Sequence, residues 1–239
     1  MNFMVRPSKS FLYDVLENEL AAMRGAVALD AASANFKNRR MFRTRFYYGV
    51  DFDLELLKQG LARHSDDRTF GIHADLARLD AIPDNSADVA VSTNTLYQMQ
   101  PASRKQALEH LCRITRTDGK LFCQLELDED LDELLPIIHS HFSDVFVRYY
   151  RNPISRFYEW IFERDGYLGS HPVAGCRPFR LLAWLLSRTE YLTWRFRAGN
   201  RRAVVVAERK IAQGENHEFD LSGLPHEAER IYNLLEKSS

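Results

Sequence analysis

Short apolar runs that stop at a polar or acidic residue, with helical stretches between them, are what most constrain the fold of this chain. Ala26-Val27-Ala28-Leu29 stops at Asp30, Phe46-Tyr47-Tyr48-Gly49-Val50 stops at Asp51, and Thr69 to Ala74 precedes Asp75. Ala87 to Ser92 and Lys120 to Leu125 are two further runs of the same kind. Leu54 to Ala62 reads as a helix with apolar positions 54, 57 and 61, and Ser103 to Arg116 as another with Ala107, Leu108, Leu111 and Ile114 on one side. Ser10 is a candidate cap for a helix reaching about Met23. Strands alternating with helices predict an α/β fold with a mostly parallel sheet covered on both faces. Ligands in such sheets sit beyond the carboxyl ends of the strands. Function is therefore to be sought at residues 30–36, 51–53, 75–76, 93–98 and 126–128.

Farther along, 191–197 and 202–208 read as two strands joined through Ala198-Gly199-Asn200-Arg201 into an antiparallel hairpin. Helical stretches are expected at about 131–141, 154–164 and 179–188, with a Gly/Pro loop containing His171 between the last two, and a final amphipathic helix at about 226–237. The 239 residues, 45% of them apolar, suffice for a single domain with a sizeable core. That composition argues against disorder, and no apolar stretch has the length of a membrane span. Three cysteines with no Cys-x-x-Cys pair argue against a disulfide framework and against a metal site. Cys112, Cys123 and Cys176 are expected to pack as small hydrophobes. With Asn2-Phe3-Met4-Val5 too short for a secretory leader, the expected location is cytoplasmic.

A formal charge of −1 conceals a local excess: residues 148–210 hold 13 Lys and Arg against 5 Asp and Glu, together with twelve aromatics. Such a block suits an anionic or ring-bearing partner, or peripheral contact with a membrane through 150–190. Apolar stripes that simply cover the sheet are the commoner use of such helices. Near-neutral overall charge, with no recognisable RNA-binding signature, disfavours nucleic acid.

Four segments in order carry a resemblance to a known family. They are Ala28-Leu29-Asp30-Ala31-Ala32-Ser33-Ala34-Asn35, Tyr48-Gly49-Val50-Asp51-Phe52-Asp53, Ala74-Asp75-Leu76 followed by Ile82-Pro83-Asp84-Asn85-Ser86, and Leu108 through Gly119-Lys120-Leu121. Over about residues 24–210 the chain resembles the class I S-adenosylmethionine-dependent methyltransferases, in particular those of the methyltransferase type 11 group. The resemblance implies a Rossmann-like, doubly wound sheet of seven strands ending in an antiparallel hairpin, a helical insertion at about 150–190 on the acceptor side, and S-adenosylmethionine as cofactor.

A ribose diol and an adenine amine call for carboxylates, and Asp51 follows Asp30 by 21 residues, the interval at which an acid after a second strand meets a nucleotide ribose. Asp51 is read as the diol acceptor or as a cap for the helix at Leu54. Asp75, with Leu76 beside it, is read as the adenine-side acid or as a surface turn. Phe52 is read as a cover for the adenine or as packing under the helix. The resemblance adds Asp30, Ala32, Ala34 and Asn94 to the cofactor set. It also departs from the family at one place: Ala32 and Ala34 stand where Asp-x-Gly-x-Gly has its glycines, which supply φ > 0 and room against the backbone.

Methyl transfer needs mainly alignment of nucleophile and sulfonium, so no catalytic residue is named. Tyr97, Gln98, Tyr150 and Arg151 are the candidates for the substrate pocket, with the first turn of the following helix as the other reading of Tyr97 and Gln98. The expected activity is methyl transfer to a small-molecule, glycan or lipid-linked acceptor, at oxygen. The alternative, motivated by the two alanines, is a catalytically silent domain that serves as a binding or scaffolding partner.

Overall fold

The structure, a computed structural model, describes residues 6–23, 25, 27–64, 66–127, 129–163, 176–212 and 214–235. Its order is α1 (Pro7–Ala22), β1 (Val27–Ala31), β2 (Phe46–Asp51), α2 (Leu54–Arg63), β3 (Thr69–His73), β4 (Ala87–Ser92), α3 (Pro101–Ile114), β5 (Thr115–Glu126), α4 (Glu129–His141), β6 (Phe142–Tyr150), α5 (Pro153–Glu163), α6 (Arg177–Ser187), α7 (Glu190–Thr193), β7 (Arg202–Lys210), β8 (His226–Ala228) and β9 (Ile231–Asn233). One sheet runs β6-β7-β5-β4-β1-β2-β3-β9-β8. Strands β1 to β5 pair in parallel, and β7 lies antiparallel between β5 and β6. Strand order reverses between β1 and β4, so the polypeptide leaves these neighbours in opposite directions and opens a crevice at their carboxyl ends.

Strand periodicity divides the core. Leu29, Tyr48, Val50, Ala90, Leu121 and Cys123 meet α3 and α4 on one face, through Leu108, Leu111, Leu134 and Ile138. Ala28, Tyr47, Val89, Val91, Phe122 and Val204 meet α1 and α2 on the other, through Phe11, Leu16, Leu57 and Leu61. Both faces of the central strands are covered, which is why their sequences read as continuous apolar runs. Lys120 on β5 fastens α1 to the sheet by pairing with Glu19 at 2.8 Å and with Glu208 at 2.6 Å.

Several sequence expectations are corrected here. The sheet has nine strands, not seven. Residues 191–197 form no strand: Tyr191 N–H donates to the Arg188 carbonyl and Leu192 N–H to that of Thr189, so the run belongs to α7 and the turn after it. The antiparallel partner of β7 is instead 142–150, paired from Phe142 opposite Lys210 to Tyr150 opposite Arg202. The helix expected at 226–237 is replaced by β8 and β9, because Ile231 to Asn233 pair with Gly71 to His73 and cover the backbone edge that β3 would otherwise expose. Helix α1 begins at Pro7, so Ser10 is a buried residue inside it and not its cap. Asp118-Gly119, which reads in the sequence as a turn ahead of the strand, lies within β5 as a bulge, where a Cβ on Gly119 would stand 2.9 Å from the Asp88 carbonyl oxygen. Cys112 and Cys123 are buried as expected, whereas Cys176, ahead of α6 at the surface, is exposed.

Helices α5 to α7 pack through polar groups. Asn152 N–H and the Ser155 hydroxyl donate to the buried carboxylate of Glu190, and the Ser8 hydroxyl and Arg151 donate to buried Glu159. Burial outweighs the donors at Glu190, aided by nearby Glu159, and pushes its pKa up to about 7. An acid whose folded pKa is raised keeps its proton when the unfolded chain has lost it, so stability falls as pH rises from the ordinary carboxylate range through 7. Glu190→Gln should flatten that dependence, removing a loss on the order of 3 kcal/mol between pH 4.5 and 7. Urea unfolding of both forms at pH 5 and pH 8 checks this; equal slopes would refute it.

Candidate functional site

The loop after β1 passes over the end of β2 and is tied to it by main-chain and side-chain bonds. Ser33 N–H donates to the Val50 carbonyl at 2.9 Å, and Ala34 N–H to Asp51 Oδ2 at 2.7 Å. Asp51 Oδ1 receives the Asp53 N–H at 3.0 Å. The helix cap is Asp53, which accepts from Leu56 N–H, so Asp51 is released from that duty and anchors the loop.

Both alanines of the loop hold left-handed backbone, Ala32 at φ 56° and Ala34 at φ 47°, and Phe36 follows at φ 58°. An L residue there costs on the order of 1 kcal/mol relative to glycine, and such strain persists only where the surroundings impose it. The hydrogen bonds to Val50 and Asp51 and the burial of Phe36 impose it here. The Phe36 ring lies edge-on to Tyr47 at 5.4 Å, over Gly60, where an added Cβ would come within 2.6 Å of it. Phe36 therefore fills the space under the loop and leaves the space above it open.

Above the loop is a cleft of about 310 Å³ lined by Ala32, Ser33, Ala34 and Asn38 on one side and by Thr93, Asn94, Thr95 and Tyr97 on the other. Asn94 is also left-handed, at φ 59°, and its N–H donates to Gln124 Oε1 at 2.7 Å, fixing the segment after β4 across from the loop after β1. Arg6, Lys9 and Tyr13 from the start of α1, Lys37, and Arg202 from β7 complete the lining. A recess of about 20 Å³ adjoins it, sharing Arg6, Lys9, Asn94 and Arg202 and adding Tyr150, Arg151 and Glu159.

Four expected residues thus line the cleft itself: Ala32, Ala34, Asn94 and Tyr97. Tyr150 and Arg151 line the recess. Gln98 is exposed and its amide donates to the Asn94 carbonyl. The carboxylates at 30, 51 and 75 are not among the lining groups. Asp30 is buried beneath the loop, where it accepts from the Tyr47 hydroxyl at 2.7 Å. Desolvation dominates there and, with Asp51 adding to it against donation from Tyr47 and Asn38, raises the Asp30 carboxyl to about 7. Its work is to hold the base of the loop. Asp51 is 6% exposed at the loop's foot, and Asp75 accepts from Ala77 N–H at 3.0 Å in the turn after β3. Leu76 is buried in the core, whereas Phe52, beside Asp51, is 77% exposed and does not pack under α2.

Lys9, Lys37, Ser33 and Arg202 were not singled out by sequence reasoning. Nothing local separates a lysine in a first helical turn from a solvated one; only the tertiary placement of α1 beside the loop brings Lys9 to the cleft.

Residues 29–123 match the family model of the methyltransferase domain. The chain has the fold of the class I S-adenosylmethionine-dependent methyltransferases, a Rossmann-like α/β sheet with an antiparallel element at the end. No curated protein matches it. Among solved structures, it is similar to geranyl diphosphate methyltransferase in complex with S-adenosylmethionine, at 12% identity and TM-score 0.58, over 84% of this chain and 85% of that one. It is also similar to Haemonchus contortus phosphoethanolamine N-methyltransferase 2, bound to phosphomonomethylethanolamine and S-adenosylhomocysteine, at 16% identity and TM-score 0.56, over 87% of this chain and 55% of that one. The [4+2]-cyclase SpnF matches at 15% identity and TM-score 0.58, over 85% of this chain and 82% of that one. At these identities the likeness is one of fold, and a cyclase among methyltransferases means that the fold alone does not fix the reaction.

If tertiary bonds impose the left-handed loop, relieving it should stabilise the protein. Ala32→Gly and Ala34→Gly should each raise stability by about 1 kcal/mol, whereas Ala107→Gly inside α3 should lower it. Chemical denaturation of the three variants gives the signs, and a loss in the two loop variants would contradict the imposed geometry.

Proposed function

We propose that the protein transfers the methyl group of S-adenosylmethionine to an acceptor bound beside Tyr97 and Tyr150. One observation carries the reading: Ala32 and Ala34 keep the left-handed backbone that glycines supply in this fold, at an energetic cost a mere scaffold has no reason to bear. In this reading the loop from Asp30 and the segment at Asn94 hold the amino-acid end of the cofactor. Asp51 has lone pairs left beyond its bonds to Ala34 and Asp53 and accepts from the ribose hydroxyls, while exposed Phe52 covers the adenine, with Asp75 and Leu76 beyond it. Held there, S-adenosylmethionine would supply an electrophilic methyl carbon and leave as S-adenosylhomocysteine, and a hydroxyl acceptor would lose its proton to water. Alignment supplies much of the acceleration.

The acceptor favoured is lipid-linked, rather than a free small molecule or glycan, because α5 is turned inside out. Its polar Ser155 and Glu159 are buried, while Ile154, Phe157, Trp160 and Ile161 face outward, Phe157 at 63% and Trp160 at 59% exposure. Leu181, Leu182 and Leu185 on α6 and Leu192 and Phe196 after it extend the apolar surface, and Arg177, Arg180 and Arg195 are exposed within it. Outward aromatics and leucines among arginines suit the interface of an anionic bilayer, and among the described residues no helix is long and apolar enough to cross one. Three free thiols fit a reducing compartment and hence the cytoplasmic face.

Calorimetric titration with S-adenosylhomocysteine tests the cofactor. We expect micromolar binding, weakened at least tenfold by Asp51→Ala; an absence of heat at millimolar ligand would leave the domain a catalytically silent binding partner. Sedimentation with vesicles of phosphatidylglycerol and phosphatidylcholine tests the surface. Binding should require the anionic lipid and should fall severalfold in Phe157→Glu/Trp160→Glu, whereas equal binding by both forms would remove the lipid argument.

A further inference from the structure

The cleft is lined by four cations, Arg6, Lys9, Lys37 and Arg202, and, among the described residues that line it, by no carboxylate. Arg202 is partly neutralised by Glu126 at 2.7 Å and lies over the Tyr97 ring at 5.3 Å. Lys9 is held below the usual lysine range by burial and then by Arg6, Lys37 and Arg202, which places these charges close enough to repel one another. The same spot receives the start of α1, a helix of 16 residues with no side-chain cap and no acid of its own in the first turn, where Glu159 accepts from the Ser8 hydroxyl. Tyr150, 1% exposed, also lines the recess, where its hydroxyl lies beside Arg202 and donates to no acceptor. A buried hydroxyl that donates to no acceptor is available to an incoming oxygen.

The cofactor does not satisfy this site. S-adenosylmethionine brings a sulfonium and an ammonium against a single carboxylate, and so adds positive charge to a cleft that already carries an excess. We infer that the acceptor carries a phosphate or diphosphate group, seated between Lys9, Lys37 and Arg202 with the Tyr150 hydroxyl donating to one of its oxygens. The inference rests on the methyl-transfer reading above and names its substrate class. A phosphoryl group suits the cleft because its oxygens can take several donors at once; the recess of about 20 Å³ beside it is also lined by Glu159, whose carboxylate is taken up by Ser8 and Arg151. Bound there, the anion also places negative charge beside the sulfonium, so each ligand improves the site for the other and the two should bind with positive coupling.

The test is calorimetry on the full chain with inorganic pyrophosphate as probe, alone and with saturating S-adenosylhomocysteine, at constant ionic strength. Pyrophosphate should bind, and Lys9→Gln should weaken it about tenfold. Tyr150→Phe, which deletes only the hydroxyl, should weaken it about threefold, and Lys58→Gln on exposed α2 should leave it unchanged. Equal weakening by Lys9→Gln and Lys58→Gln would mean diffuse attraction and would overturn the site. Homocysteine-ligand binding without pyrophosphate binding would overturn the anionic acceptor while leaving methyl transfer standing, and failure of both ligands would overturn both readings.

Discussion

The carboxylate of Asp51, at the end of β2, holds the main chain of the neighbouring strand's loop in a conformation that its own residues resist. Ala32 and Ala34 would relax to ordinary backbone in isolation. The hydrogen bond from Ala34 N–H to Asp51, that from Ser33 N–H to Val50, and the ring of Phe36 locked over Gly60 prevent it. The rest of the cleft follows from this restraint. The loop exposes a concave face to Asn94 and Tyr97, and the buried carboxyl of Asp30 stays under it, bonded to Tyr47 and out of the cleft.

Around this frame, charge and apolar surface are distributed unevenly. Cations collect at the cleft because α1 lays its first turn beside the loop, where Lys9 approaches Lys37 and Arg202. Apolar side chains collect outside because α5 spends its polar face on buried bonds to Glu190, Ser8 and Arg151. An acceptor with an anionic head and an apolar tail would satisfy both surfaces at once. The free-energy reason is the same in each case, since crowded like charges and exposed large apolar groups are both costly until a ligand or a surface covers them.

Much of the fold was legible in the chain, for a definite reason. Buried central strands give continuous apolar runs, and helices on their faces give a spacing of three and four, so β1 to β5 and α2 to α4 could be read locally. Reading failed where pairing decides the outcome. Tyr191 to Arg197 has strand composition yet ends a helix, and His226 to Asn233 has a helical pattern yet forms strands, because β3 offers an edge to pair with. At the site, Ala32, Ala34 and Asn94, which the family resemblance supplied, line the cleft with Tyr97, and Tyr150 and Arg151 line the recess beside it. The local bonds of the acids at 30, 51 and 75 were not legible, because whether a carboxylate faces open space or a backbone amide depends on atoms supplied from other strands.

By itself, the sequence determined that a mostly parallel sheet would form and that its strand ends were the place for a site, since these depend on short-range patterning; which two ends border the crevice was decided by strand order. Only the tertiary structure decided that two alanines would adopt backbone suited to glycine, that Lys9, Lys37 and Arg202 would meet, and that α5 would turn its aromatics outward. Those outcomes come from groups distant in sequence, whose mutual attraction and repulsion act only once the chain has folded.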